Sequence, residues 1–75
     1  MNYKALLQHF TQKEYNSVPQ YKLIKTTGPA HEPFFEVSVG VEGTIYGPGS
    51  GKTKKEAEQQ AAKMALEKIK ETNSI

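Results

Sequence analysis

Apolar residues recur with different spacings along this chain, and each spacing predicts one kind of element. From Tyr3 to about Lys13, the residues Tyr3, Leu6, Leu7 and Phe10 stand at i, i+3, i+4 and i+7, the spacing of one helical face. Asn2, just ahead, is a good N-cap, because its short side chain can accept from the unpartnered amides of a first turn. Asn16, Ser17 and Pro19 form a polar break that ends this helix. Gln20 to Thr27 carries Tyr21, Leu23, Ile24 and a pair of threonines and reads as a strand. Gly28-Pro29 punctuates it, and Pro33 closes a short loop through Ala30, His31 and Glu32. Phe35, Val37, Val39 and Val41 then alternate with Glu36, Ser38, Gly40 and Glu42. That period of two predicts a strand with one face buried and one in water. Glu42-Gly43 predicts a tight reversal into a third strand starting at Thr44, Ile45 and Tyr46.

Gly47, Gly49 and Gly51 follow at two-residue spacing, so in a regular strand they share a face with Ile45. A face without side chains lets another backbone come close. From Thr53 the pattern turns helical again, with Ala57, Ala61, Ala62, Ala65, Leu66 and Ile69 on one side through about Glu71. The alanines allow a close approach of helix to sheet. The expected fold is α+β, in the order α-β-β-β-α, with both helices packed on one face of a three-stranded antiparallel sheet. The opposite face, with Glu36, Ser38 and Glu42, is expected in water. One domain over residues 2–71 is expected, with Thr72 to Ile75 as a frayed tail.

Composition narrows what such a domain can do. Seventy-five residues and 8.4 kDa give a small core, and most enzyme folds need more chain. Cysteine is absent, which removes disulfides, thiolate catalysis and Cys-based zinc sites. With His9 and His31 the only histidines, a His-rich metal cage is excluded too. No apolar run approaches the ~18 residues of a membrane span. A cysteine-free chain held by packing alone suits a reducing compartment, so a cytoplasmic protein is expected. Ten lysines against eight glutamates give +2, with no arginine and no aspartate. Lysine is a compact charge suited to phosphates, whereas arginine is the usual reader of guanine edges. The chain is thus read as a binding module that meets its ligand through backbone charge.

The placement of those lysines breaks a local rule. Thr53-Lys54-Lys55-Glu56 has the form of a capping box, with Thr53 accepting from the third helical amide and Glu56 reaching back to the cap. Yet Lys54 and Lys55 lie in the first turn, with Lys52 just before, where cations oppose the helix dipole by about 0.3–1 kcal/mol each. Rules broken without local compensation tend to mark function. Lysines, free helix-start amides and a glycine-rich approach together form an anion site, and phosphate is the obvious anion. The alternative is a solvated charge run. A nucleotide-binding P-loop is excluded, because that motif needs glycine where Tyr46 stands. On the first helix, Ala5, Gln8, His9 and Gln12 share the side opposite the apolar stripe. Amide side chains there suit sugar hydroxyls and base edges in a shallow groove, or form an ordinary polar face.

The order of elements, Gly28-Pro29-Ala30-His31 in the first hairpin loop, and Gly49-Ser50-Gly51-Lys52-Thr53-Lys54-Lys55-Glu56-Ala57-Glu58 before Ala61-Ala62 resemble the double-stranded RNA-binding domain. More narrowly, the chain from about Asn2 to Ile69 resembles the C-terminal domain of the bacterial ribonuclease III family. The resemblance implies that Ala5, Gln8, His9 and Gln12 enter one minor groove of A-form RNA. His31, with Pro29 and Ala30, would enter the next, and Lys52, Thr53, Lys54 and Lys55 would bridge the phosphates between them. An A-form minor groove is wide and displays 2′-hydroxyls, while the deep major groove offers mainly phosphates, so such a domain reads shape. The bacterial family usually has glutamate where His9 stands, and Glu58 replaces a third lysine found in many eukaryotic members.

Catalysis is not expected of this chain. Two-metal phosphodiester chemistry needs converging carboxylates; Glu56 and Glu58 are accounted for by capping and solvation. By the resemblance, magnesium and the hydrolase activity of an endonuclease in RNA processing belong to a separate catalytic domain, through which a parent protein would dimerise. The isolated domain is expected to be a monomer whose partner is double-stranded RNA. Other readings are a stand-alone RNA binder, a protein-interaction or dimerisation module, and a single-strand binder that stacks bases on an open sheet face.

Overall fold

The structure is a computed structural model and describes residues 1–73. Its elements are α1 (Tyr3–Tyr15), β1 (Gln20–Thr27), β2 (Phe34–Val41), β3 (Thr44–Gly51) and α2 (Lys54–Asn73). The strands form one antiparallel sheet in the order β1-β2-β3.

At the start of α1, the Ala5 amide donates to Asn2 Oδ1 at 3.1 Å, as expected of an N-cap. The helix runs two residues beyond Lys13 and stops at Asn16, whose φ of 53° takes the left-handed conformation of a helix end. Its buried stripe differs from the expected one. Leu7 and Thr11 are fully buried, Tyr3 and Phe10 half-buried, and Leu6 is 48% exposed. Thr11 is tolerated in the inward place because its hydroxyl donates to the Gln8 carbonyl at 3.2 Å, leaving no buried donor unpaired.

Val37, Val39 and Val41 of the central strand point into the core with Leu7, Ala61, Ala62, Ala65 and Ile69. Burying Leu7 alone is worth about 1.5–3 kcal/mol. Tyr3, Phe10, Tyr21, Tyr46 and Leu66 close the margins of this core. Glu42 and Gly43 reverse the chain with φ of 47° and 82°, the paired positive values of a two-residue hairpin turn. Ser38 is 7% exposed rather than wet. It lies on the central strand beside Lys22, and the backbone of Gly47 passes close to its Cα, so a small side chain is covered there.

The glycines of β3 do not share a face with Ile45. Val39 pairs with Tyr46 but Val37 pairs with Gly49, so β3 carries one extra residue across Gly47-Pro48, a bulge. Past it the alternation is reversed. Gly49 and Gly51 come onto the helix-facing side with Tyr46, while Ile45 stays outside at 70% exposure. The purpose expected of them holds. A Cβ on Gly49 would lie 2.1 Å from the Ala61 amide nitrogen, and one on Gly51 2.8 Å from that of Ala57. Helix and strand thus touch backbone to backbone, with alanine on one side and glycine on the other.

At its far end α2 continues through Thr72 and Asn73, and the Thr72 hydroxyl donates to the Lys68 carbonyl at 3.0 Å. Ser74 and Ile75 of the expected tail lie outside the described residues. Among the described residues no helix is long and apolar enough to cross a membrane.

Candidate nucleic-acid interface

The β1–β2 loop is a compact turn. Gly28 has φ of 83°, and a Cβ there would come within 2.9 Å of the Glu32 carbonyl oxygen, so only glycine fits without strain. The Glu32 amide donates to the Pro29 carbonyl at 2.9 Å, which puts Ala30 and His31 at the tip. Pro29, Ala30 and His31 are all exposed. Strand register fixes where this tip stands. Thr27 pairs with Phe34, and Phe35 pairs with Gly51, so the loop and the entrance to α2 share one end of the sheet.

At that entrance the Glu56 amide donates to Thr53 Oγ1 at 3.0 Å, as a capping residue requires. Glu56 reaches back one residue further than expected. Its Oε2 accepts from the Lys52 amide at 3.0 Å, not from the cap's own. The carboxylate is thereby held at the mouth of the helix, where it favours the dipole that the lysines oppose. Lys52, Lys54 and Lys55 are exposed, and none of them takes part in a salt bridge among the described residues. Lys4 and Lys25 differ. Lys4 pairs with Glu58, and Lys25 Nζ lies 3.6 Å from Glu36. The lysines singled out by their conflict with the helix thus form no salt bridge among the described residues, although the Glu56 carboxylate lies at the same helix mouth.

Ala5, Gln8, His9 and Gln12 are all exposed along α1, and beside the apolar contact of Leu7 and Phe10 the start of this helix is held by residues that its own sequence does not show. Gln59 of α2 crosses to the start of α1, where its Oε1 accepts from the amides of Tyr3 at 2.8 Å and Lys4 at 3.2 Å. Its Nε2 donates to Asn2 Oδ1 at 3.0 Å. The Lys4–Glu58 pair lies beside it, with Lys4 Nζ 5.0 Å from the centre of the Tyr21 ring. Lys63 Nζ stands 5.7 Å from the Tyr3 ring, within range of a cation–π contact. The only sequence signal for Gln59 is its place one turn beyond Lys55. The Tyr21 hydroxyl is buried without a protein partner. Burial, and then the charge of Glu58, push its pKa up to about 12.

Strand register brings the loop and the α2 entrance to one end of the sheet, and the Gln59 hydrogen bonds bring the start of α1 against α2 one turn beyond Lys55. Among the described residues, no group of His, Cys, Asp or Glu side chains is large enough to hold a metal ion.

Residues 3–69 match the family model of the double-stranded RNA binding motif. The chain is 53% identical over 68 residues to a ribonuclease 3 of Treponema denticola, covering 91% of this chain and 28% of that protein. It is 45% identical over 69 residues to a ribonuclease 3 of Bacillus licheniformis, covering 92% and 28%. The chain thus spans under a third of the length of these curated relatives. Among solved structures it resembles Arabidopsis HYL1, with a TM-score of 0.80 and 34% identity over 92% of this chain and 97% of that one. The second double-stranded RNA-binding domain of DRB4 gives a TM-score of 0.67 and 42% identity, over 93% and 97%.

Proposed function

The chain belongs to the double-stranded RNA binding motif family, and on that premise we propose that it grips duplex RNA at three points. Ala5, Gln8, His9 and Gln12 address one minor groove, where amide and imidazole groups meet 2′-hydroxyls and base edges. Pro29, Ala30 and His31 address the next. Lys52, Lys54 and Lys55, with Thr53, hold the phosphates between them. A duplex spanning both minor grooves is about 16 base pairs long. The observation that supports this reading most is that Lys52, Lys54 and Lys55 are exposed and form no salt bridge among the described residues, at a helix entrance that shares one end of the sheet with the loop.

Selectivity follows from spacing. Two minor-groove surfaces separated by a cationic one fit the groove geometry of A-form RNA, and 2′-hydroxyls distinguish it from DNA. Stacking of single-stranded bases is the weaker reading, because Tyr3, Phe10, Tyr21 and Tyr46 are committed to the core margins and only Phe34 is an exposed strand aromatic. With relatives that are ribonucleases, the chain fits the part of such an endonuclease that holds the RNA. It needs no cofactor for this. Magnesium and dimerisation would belong to a catalytic domain, and the cytoplasm is the compartment that suits the role.

The test is a titration of one sequence as duplex RNA, duplex DNA and single-stranded RNA. The proposal expects the duplex RNA to bind most tightly, with little dependence on its sequence. Equal affinity for all three would overturn it, and concentration-dependent self-association without RNA binding would point to a protein-interaction module instead.

A further inference from the structure

The start of α1 is capped from the other end of the chain. Of its first amides, Ala5 is met locally by Asn2, but Tyr3 and Lys4 donate to Gln59 Oε1, more than fifty residues away in sequence. The same side chain donates through Nε2 to the Asn2 oxygen that caps Ala5. One amide group thus engages three partners around a single helix end. Gln59 also lies one α-helical turn beyond Lys55, on a helix whose opening is pinned against β3 by the Gly49 and Gly51 contacts. The proposed phosphate-facing lysines are therefore joined to the start of α1 through one helical turn, the Gln59 hydrogen bonds and, beside them, the Lys4–Glu58 pair and Lys63 over the Tyr3 ring.

We infer that Gln59 is a positioning residue for RNA recognition: it sets the alignment of the α1 face relative to Lys54 and Lys55, and so the groove spacing that the domain accepts. This rests on the three-point grip proposed for duplex RNA. Gln59 itself does not touch the RNA. Without it, α1 remains packed through Leu7 and Phe10 but can pivot about that apolar contact, and only part of the population presents both surfaces in step. The apparent affinity then falls by the competent fraction. The loss is confined to duplexes long enough to engage both surfaces.

The test compares wild type with Gln59→Leu, similar in length but without the acceptor, and Gln59→Glu, whose carboxylate still accepts from the Tyr3 and Lys4 amides. Each binds a duplex RNA of about 16 base pairs and one of about half that length, at a temperature where circular dichroism shows it folded. Gln59→Leu should bind the long duplex about tenfold more weakly, the equivalent of one lost hydrogen bond. It should bind the short one as wild type does, with an unchanged salt slope. Gln59→Glu should recover part of the loss, because it keeps the contacts to the Tyr3 and Lys4 amides but cannot donate to Asn2. Unchanged affinity of folded Gln59→Leu for the long duplex would overturn the inference, as would an equal loss on both duplexes or failure of Gln59→Glu to rescue. If Gln59→Leu does not fold, Asn2→Ala takes its place on the two duplexes: a loss confined to the long one supports the inference, and no loss or an equal loss overturns it. Wild type that ignores duplex length would instead overturn the three-point grip itself.

Discussion

Toward β3, α2 presents Ala57 and Ala61 to Gly49 and Gly51; toward solvent, its opening turn presents Lys54 and Lys55. The inner side is governed by contact at atomic distance, with no room for a methyl group. The outer side has ample room and an electrostatic conflict, since cations at a helix start oppose its dipole. Stability has shaped the first, and the proposed phosphate contacts would account for the second. A helix can therefore carry a fold and a function on opposite sides of the same turns, and substitutions should separate them.

The largest effect is expected from Gly49→Ala. Its methyl group would meet the Ala61 amide and the Ala57 carbonyl, both backbone, so the cost should exceed the about 1–3 kcal/mol of ordinary overpacking. A core this small supplies roughly 3–5 kcal/mol in all, and circular dichroism should show most of the variant unfolded. A melt within a few degrees of wild type would contradict the inner half of the comparison. Next comes the pair Lys54→Ala with Lys55→Ala. Losing two charge-assisted contacts should weaken duplex RNA binding about 100-fold, while the melting temperature stays level or rises as the dipole conflict is relieved. Unfolding of this pair would make the lysines structural.

Thr53→Ala sharpens the boundary between the two sides. It removes the hydroxyl that accepts from the Glu56 amide, which should cost about 1 kcal/mol and lower the melting temperature by roughly 4–8 °C. Unchanged stability would mean that Glu56 alone caps the helix. The smallest effect concerns Tyr21, whose pKa of about 12 is raised chiefly by burial. The unfolded chain ionises near the ordinary value of about 10, so the stability from keeping this hydroxyl protonated is present below that pH and lost between it and about 12. Tyr21→Phe, measured by denaturant melts across that window, should fall less steeply than wild type. At neutral pH it should be equally or slightly more stable, because a buried hydroxyl without a partner is removed.

How legible this was in the sequence depended on how local each cause is. Strand and helix ends were set by nearby residues, such as Asn2, the Glu42-Gly43 turn and Thr53, and lie within two residues of expectation. The β3 register was not legible, because period-two reasoning assumes an uninterrupted strand and the bulge at Gly47-Pro48 reverses the faces beyond it. Leu6 and Thr11 exchanged places for a related reason: hydrophobicity favoured Leu6, whereas the position of α2 decided which side of α1 was covered. For the candidate site, the exposure of Ala5, Gln8, His9, Gln12, the loop residues and the lysines followed from pattern alone. Gln59 did not, since its partners come from the opposite end of the chain and no periodicity links them.

The most direct test of the central claim is the salt dependence of duplex RNA binding for wild type and for Lys54→Ala with Lys55→Ala. With roughly three to five phosphates held, log K against log salt should slope between about −2 and −4.5 for wild type, and the double variant should be shallower by about 1.5. Parallel lines for the two proteins would mean that these lysines do not meet phosphate, and the claim would fail.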